Sequence, residues 1–207
     1  MIHAPAQTQT TRDALMTAAL AVFEAQGFER ATVASICRAS GVSNGSFFHA
    51  FASKEALGAA LFVDALTRYH DALLAALHGG PGAAHGVQAL ITAHLNWVVT
   101  QRPWSRLLFE QARADWLVHI RPQQRQSNEA LRHGIHVWRA PLVAAGQLVA
   151  MPDLLFFSQL IGPAQMLCRI WLADSEATDP REFAQELVTC AVRALVLVTP
   201  TTEGIPS

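Results

Sequence analysis

The side chains best able to do chemistry lie close together in one short run: Ser43, Asn44, Ser46 and His49, with Phe47 and Phe51 between and after them at helical spacing. The two phenylalanines predict an anchored underside, which leaves the amide, the hydroxyls and the imidazole facing outward. Such a face suits hydrogen bonding to a partner outside the chain rather than bond-making. Elsewhere no glycine-rich phosphate loop, nucleophile elbow or paired-carboxylate arrangement stands out, so nothing in the chain asks for an enzyme. Glu129, His133 and His136 share a helical face at i, i+4 and i+7. That spacing offers donors to a metal, but a further ligand from another helix would be required; solvated surface histidines are the simpler reading, and no metal or cofactor is expected. Cys37, Cys168 and Cys190 have no metal-type spacing and read as three reduced, buried thiols.

The elements that must position the polar run are legible around it. Val33, Ile36 and Cys37 form the inner face of a short helix that Thr32 can cap. Gly41 breaks that helix where a left-handed backbone is needed, a conformation that a residue without a Cβ adopts at little cost. Val42 turns inward and Ser43 caps a second short helix; Ser53 caps a third and longer one. This is a helix-turn-helix, an apolar support under a polar helix small enough for a major groove.

The run AVFEAQGFERATVASICRASGVSNGSFFHAFASKEAL resembles the DNA-binding segment of the TetR (tetracycline repressor) family of transcriptional regulators. The likeness extends from about Arg12 to about Leu61. It is carried by Ala18, Ala19, Phe23 and Gly27 in a first helix, by Ser40, Gly41, Val42, Ser43, Gly45 and Ser46 at the turn, and by His49, Phe51, Ser53, Lys54 and Glu55 after it. The resemblance implies DNA contacts at Thr32, Arg38, Ser43, Asn44, Gly45, Ser46, Phe48, His49 and Lys54. Asn44 would take a base edge, Gly45 would allow close backbone approach, and Thr32, His49 and Lys54 would meet phosphate. Phe48 stands where the family usually has a tyrosine, so a phosphate hydrogen bond from a hydroxyl is lost there. Cys37 stands where a small alanine is usual.

Composition sets limits on the rest. The chain has 207 residues, 51% hydrophobic and 15% charged, with a formal net charge of −1. Alanine and leucine dominate over β-branched types, which favours helix. The mean hydropathy is +0.23. No run approaches the roughly 18 uncharged apolar residues of a membrane helix, and no secretion signal opens the chain, so a cytoplasmic protein is expected. The apolar content then points to a cavity, a large subunit interface, or both. Up to residue 55, Arg12, Arg30, Arg38 and Lys54 balance Asp13, Glu24, Glu29 and Glu55. Non-specific attraction to DNA should therefore be modest, and affinity must come from a few placed contacts doubled by dimerisation.

Along the chain, residues 1–9 read as disordered, and Thr10 with Asp13 as a capping box opening the first helix. A long helix runs from Ser53 to about Leu77 and stops at the loop of residues 79–82. Further helices are expected at 84–101, 103–110, within 112–144 and from Asp153 to Ala173, the last apolar nearly all round and bent at Gly162 and Pro163. Asp179, Pro180 and Glu182 signal the start of a final helix, and residues 199–207 form a tail. An apolar helix followed by an amphipathic one predicts pairing with a second copy in a four-helix bundle, and the resemblance implies the same. In the family the body encloses a small-molecule cavity; among its tryptophans, phenylalanines and histidines, His94, Trp97, Trp116 and Met166 are the expected lining.

The expected protein is thus all-α: a disordered stretch at 1–9, a DNA-binding head at 10–55, a ligand-binding and dimerisation body at 56–198 and a flexible tail at 199–207. It would be a homodimeric repressor released from a palindromic operator by a small, largely apolar or aromatic molecule. The alternative is a helical small-molecule-binding or catalytic protein that has lost DNA binding.

Overall fold

In a computed structural model, residues 4–110, 115–174 and 176–197 are described, and they are helical with no strand among them. The helices are α1 (Ala4–Gln26), α2 (Val33–Ser40), α3 (Asn44–Ala50), α4 (Lys54–Ala76), α5 (Ala83–Thr100), α6 (Arg102–Glu110), α7 (Arg121–Ala144), α8 (Asp153–Ala173) and α9 (Ala184–Leu195), with short 3-10 turns at Leu77–Gly79, Asp115–Ile120 and Pro180–Phe183. A single antiparallel bridge joins Leu148 to Val196. The tail at 199–207 lies outside the described residues, as do residues 1–3.

The expected elements appear at the expected places, with one correction at the start. α1 begins at Ala4, so Thr10 and Asp13 lie inside a helix and do not open one. Asp13 accepts a hydrogen bond from Gln9 Nε2 at 3.0 Å, one turn back. The only breaker nearby, Pro5, falls in the first turn, where a missing N–H has no intrahelical acceptor to lose. Pro163 lies inside α8, whose helical run nevertheless extends unbroken to Ala173.

The chain divides into two compact units. The first comprises residues up to Arg68 together with Gln101–Gln126. Its core joins α1, α2, α3, the first half of α4 and α6 through Leu15, Phe23, Ile36, Phe47, Leu61 and Leu107. Phe28 is stacked on Trp116 at 4.8 Å between ring centres.

The second unit comprises Tyr69–Thr100 and the chain from Ser127 onward. Here α5 packs on α8 and α9, and α8 on α9. Gly86 of α5 lets Trp138 of α7 approach so closely that a Cβ would stand 2.2 Å from the indole. Buried polar groups are paired at long range. Tyr69 OH and His94 Nδ1 are 2.8 Å apart, and so are His70 Nδ1 and Ser127 Oγ. Buried Arg139 lies over the Phe156 ring and holds the loop before α8, donating to Val149 O at 3.2 Å, Met151 O at 2.6 Å and Asp153 Oδ1 at 2.5 Å.

α8 and α9 do not bury all their apolar surface within the chain. Leu154, Leu155, Met166 and Ile170 of α8 are exposed, as is Phe183 before α9. An open groove of about 320 Å³ between these helices is lined by Leu160, Pro163, Leu167, Phe183, Leu187 and Ala194, among others. Cys190 also lines it and is exposed, whereas Cys37 and Cys168 are buried. The reading of three buried thiols is therefore corrected at Cys190, which shares a helical face with exposed Glu186 and Ala194.

Candidate nucleic-acid interface

The turn between α2 and α3 is built by short-range hydrogen bonds. Thr32, extended at φ −122° and ψ 156°, accepts from Ser35 N at 3.1 Å, while Ser35 Oγ accepts from Thr32 N at 3.0 Å. This reciprocal capping leaves the hydroxyl proton of Thr32 available to another acceptor. Gly41 takes φ +72°, the left-handed value that ends α2. Ser43 caps α3 by accepting from Ser46 N at 3.1 Å, and the hydroxyls of Ser43 and Ser46 share one proton at 3.0 Å. The pair therefore keeps one donor for a partner outside the chain.

α3 is only a few residues long, so its orientation rests on its packing. Phe47 is fully buried and Phe51 nearly so. Arg12 of α1 donates to Ala50 O at 3.1 Å and lies 4.1 Å from the centre of the Phe51 ring, which fixes the end of α3. Nothing in the local sequence marks Arg12 for this role, because its partner lies 38 residues away. On the opposite side Ser43, Asn44, Gly45, Ser46, Phe48 and His49 are all exposed, in one short helix and its cap. At Gly45 a Cβ would meet nothing nearer than Ser43 Oγ at 3.9 Å, so the fold itself does not demand glycine there.

Thr32 and Arg38, at the two ends of α2, are also exposed. Lys54 is placed differently. It is half-buried at the start of α4, donates to Phe28 O at 2.9 Å and Glu29 O at 3.4 Å, and lies 4.5 Å from the centre of the Phe28 ring. Its ammonium ties α4 to the loop between α1 and α2, so a phosphate contact would have to share it with these carbonyls.

The residues expected to line an effector cavity stand in different surroundings. His94 and Trp97 are both buried beside Tyr69, whose ring centre is 4.9 Å from that of Trp97. Burial lowers the His94 pKa to about 4, so the ring is neutral near pH 7, and burial, reinforced by Cys168, pushes the Tyr69 phenol up. Trp116 belongs instead to the core of the first unit, and Met166 is 62% exposed on α8. Aromatic identity alone could not separate these environments.

Nor do Glu129, His133 and His136 converge. All three are exposed; Glu129 pairs with Arg132 at 3.8 Å, and His136 Nδ1 is 3.5 Å from Asp153 Oδ2. Among the described residues no group of three or more metal-type side chains could hold an ion.

Residues 15–61 match the family described as "Bacterial regulatory proteins, tetR family". The chain is 35% identical over 69 residues to the HTH-type transcriptional regulator UidR of Escherichia coli (strain K12), which covers 31% of this chain and 35% of UidR. It is 39% identical over 80 residues to the HTH-type transcriptional regulator TcmR of Streptomyces glaucescens, covering 39% of this chain and 34% of TcmR. These matches thus span about a third of the length of those relatives. The fold as a whole is similar to a TetR family transcription regulator from Marinobacter aquaeolei VT8, with a TM-score of 0.74 at 19% identity over 92% of this chain and 97% of that one. It is also similar to the regulator FadR from Bacillus subtilis in complex with stearoyl-CoA, with a TM-score of 0.74 at 14% identity over 87% and 97% of the two chains. The matched segment, residues 15–61, contains the capped α2–turn–α3 unit and is the amino-terminal domain of the tetR family of bacterial regulatory proteins, and the remaining helices share the fold of the solved regulators.

Proposed function

We propose that the protein is a DNA-binding repressor that works as a homodimer on a palindromic operator and is released by a small, largely apolar or aromatic molecule. The observation that carries this reading is the exposed polar face of α3, held over buried Phe47 within the family-matched segment. Asn44 offers an amide with a donor and an acceptor, the arrangement that pairs with adenine. Gly45 admits a close backbone, and Thr32, Arg38, Ser43, Ser46 and His49 serve phosphates or neighbouring base edges. Residues 10–55 act as the reading module, and residues 56–198 carry the effector and the partner copy.

The dimer reading rests on the exposed apolar face of α8 and α9. Burying that face against its own copy would place two heads for grooves about one helical turn apart, ~34 Å. The effector reading rests on the buried aromatic and neutral polar groups at Tyr69, His94 and Trp97, which suit an uncharged or apolar ligand. The FadR neighbour was solved with stearoyl-CoA, whose long acyl chain is apolar and whose coenzyme A part is charged, and this supports a small-molecule effector for the fold. No catalytic role is assigned. A DNA-reading role would place the protein in the cytoplasm with the chromosome; among the described residues no helix is long and apolar enough to cross a membrane.

Effector and operator would favour different conformations, and the coupling must be reciprocal. The test is titration against DNA from upstream of the protein's own gene at two salt concentrations. A specific shift that weakens with salt supports the reading; no specific shift on any such DNA sinks it. Compounds that raise the melting temperature would then be expected to displace the DNA.

A further inference from the structure

We propose that Phe48 reads the C5-methyl group of a thymine beside the adenine taken by Asn44, so that α3 specifies an A/T-containing step. The inference rests on the DNA-binding reading above and goes further, to what the face selects.

Phe48 breaks the pattern of its own helix. Phe47 is 0% exposed and Phe51 is 4% exposed, but Phe48 is 58% exposed on the otherwise polar side. It follows Asn44 by one helical turn, so the amide and the ring are neighbours on one face. The ring is not loose, since it stands edge-on to buried Phe47, with centres 5.3 Å apart and planes at 79°.

A phenyl ring has no hydrogen-bond donor or strong acceptor. It cannot read a phosphate oxygen or the polar edges of guanine, cytosine or adenine. The apolar feature that the major groove presents is the thymine methyl, for which phenylalanine is a suitable contact. Positions one turn apart on a helix lie about 5–6 Å from each other, and base pairs rise about 3.4 Å, so amide and ring reach adjacent or next-adjacent pairs. Hiding the ring edge and the methyl from water supplies the selectivity.

The test starts by selecting binding sequences from a random duplex pool with the full-length protein. Each thymine of the selected duplex is then replaced, one at a time, by uracil, which differs only by the methyl. Affinities are measured by fluorescence anisotropy for the natural chain, Phe48→Ala and Phe48→Tyr, with melting curves to show that each variant is folded. One uracil position in each half-site should weaken the natural chain about three- to fivefold, the scale of one buried methyl. Phe48→Ala should bind both duplexes equally, and Phe48→Tyr, which keeps the ring, should keep the preference. Indifference of the natural chain to every uracil overturns the inference and leaves DNA binding standing, as does an undiminished methyl preference in Phe48→Ala. A pool that yields no enriched sequence removes DNA binding and this inference together.

Discussion

In α2 and α3 the polar groups find partners three residues away: Thr32 with Ser35, and Ser43 with Ser46. In the second unit the partners are distant. Tyr69 meets His94, His70 meets Ser127 across 57 residues, and Arg139 gathers Val149, Met151 and Asp153. A cap forms as soon as its own turn forms. A pair such as His70 and Ser127 exists only after the surrounding unit has closed. The caps of α2 and α3 are therefore small local increments laid on an apolar core that Arg12 and Lys54 tie down, whereas the second unit places its polar pairing in fewer, distant contacts. On the function proposed above, a surface reading DNA would gain from a fixed local frame, and an interior responding to a ligand would gain from contacts that act together.

Four measurements would break or sharpen that contrast. The largest effect is expected where the head itself depends on a single buried group. Phe47→Ala should cost about 3–5 kcal/mol in urea unfolding, because the ring is fully buried under α3; a cost under about 1 kcal/mol would mean that α3 is not held by its underside. Next comes Arg139→Ala, which removes hydrogen bonds to two carbonyls and a carboxylate and should cost about 3 kcal/mol.

The third measurement uses acid. Burial lowers both His70 and His94 to about 4, below the ordinary value of 6.5. The unfolded chain binds these protons first, so stability falls as pH drops from about 6.5 and levels off below about 4. Between pH 7 and pH 5 each ring should remove on the order of 2 kcal/mol. His94→Gln should lessen the acid loss by one ring's share, read as the change in urea midpoint between the two pH values. An unchanged acid loss would show that this buried ring does not govern it.

The smallest effect belongs to the cap. Thr32→Ala should cost about 1 kcal/mol and act on the first unit alone, measured by hydrogen exchange in α2 and in α5. If it cost as much as Arg139→Ala, or loosened both units equally, the contrast between local and distant pairing would fall.

The same contrast explains what the sequence made legible. Gly41, Ser43 and Thr32 announce their roles because cause and effect lie within one turn. The helices follow from spacing; at the last one Asp179 accepts from Arg181 N at 2.9 Å and caps the 3-10 turn Pro180–Phe183, with α9 following from Ala184. The start of the first helix differs from its sequence signal because Thr10 has the type of a cap wherever it stands, and only the path of the preceding chain decides. Side-chain type says less about the residues expected around an effector. Trp97 and Trp116 are chemically alike, yet one lies beside Tyr69 and the other on Phe28. Arg12, Arg139 and Lys54 were equally silent, since a cation does not advertise which distant carbonyl it will meet.

Lys54 is the only lysine among the chain's 207 residues, and its nitrogen is bound to carbonyls of the loop after α1. Nature has thus supplied a solitary acylation site whose reactivity depends on whether that loop is shut. A mild amine-directed reagent, followed by mass spectrometry of the peptide around residue 54, would count transient openings of that loop in the unmutated chain. The same readout with and without operator DNA would tell whether duplex and loop quieten together.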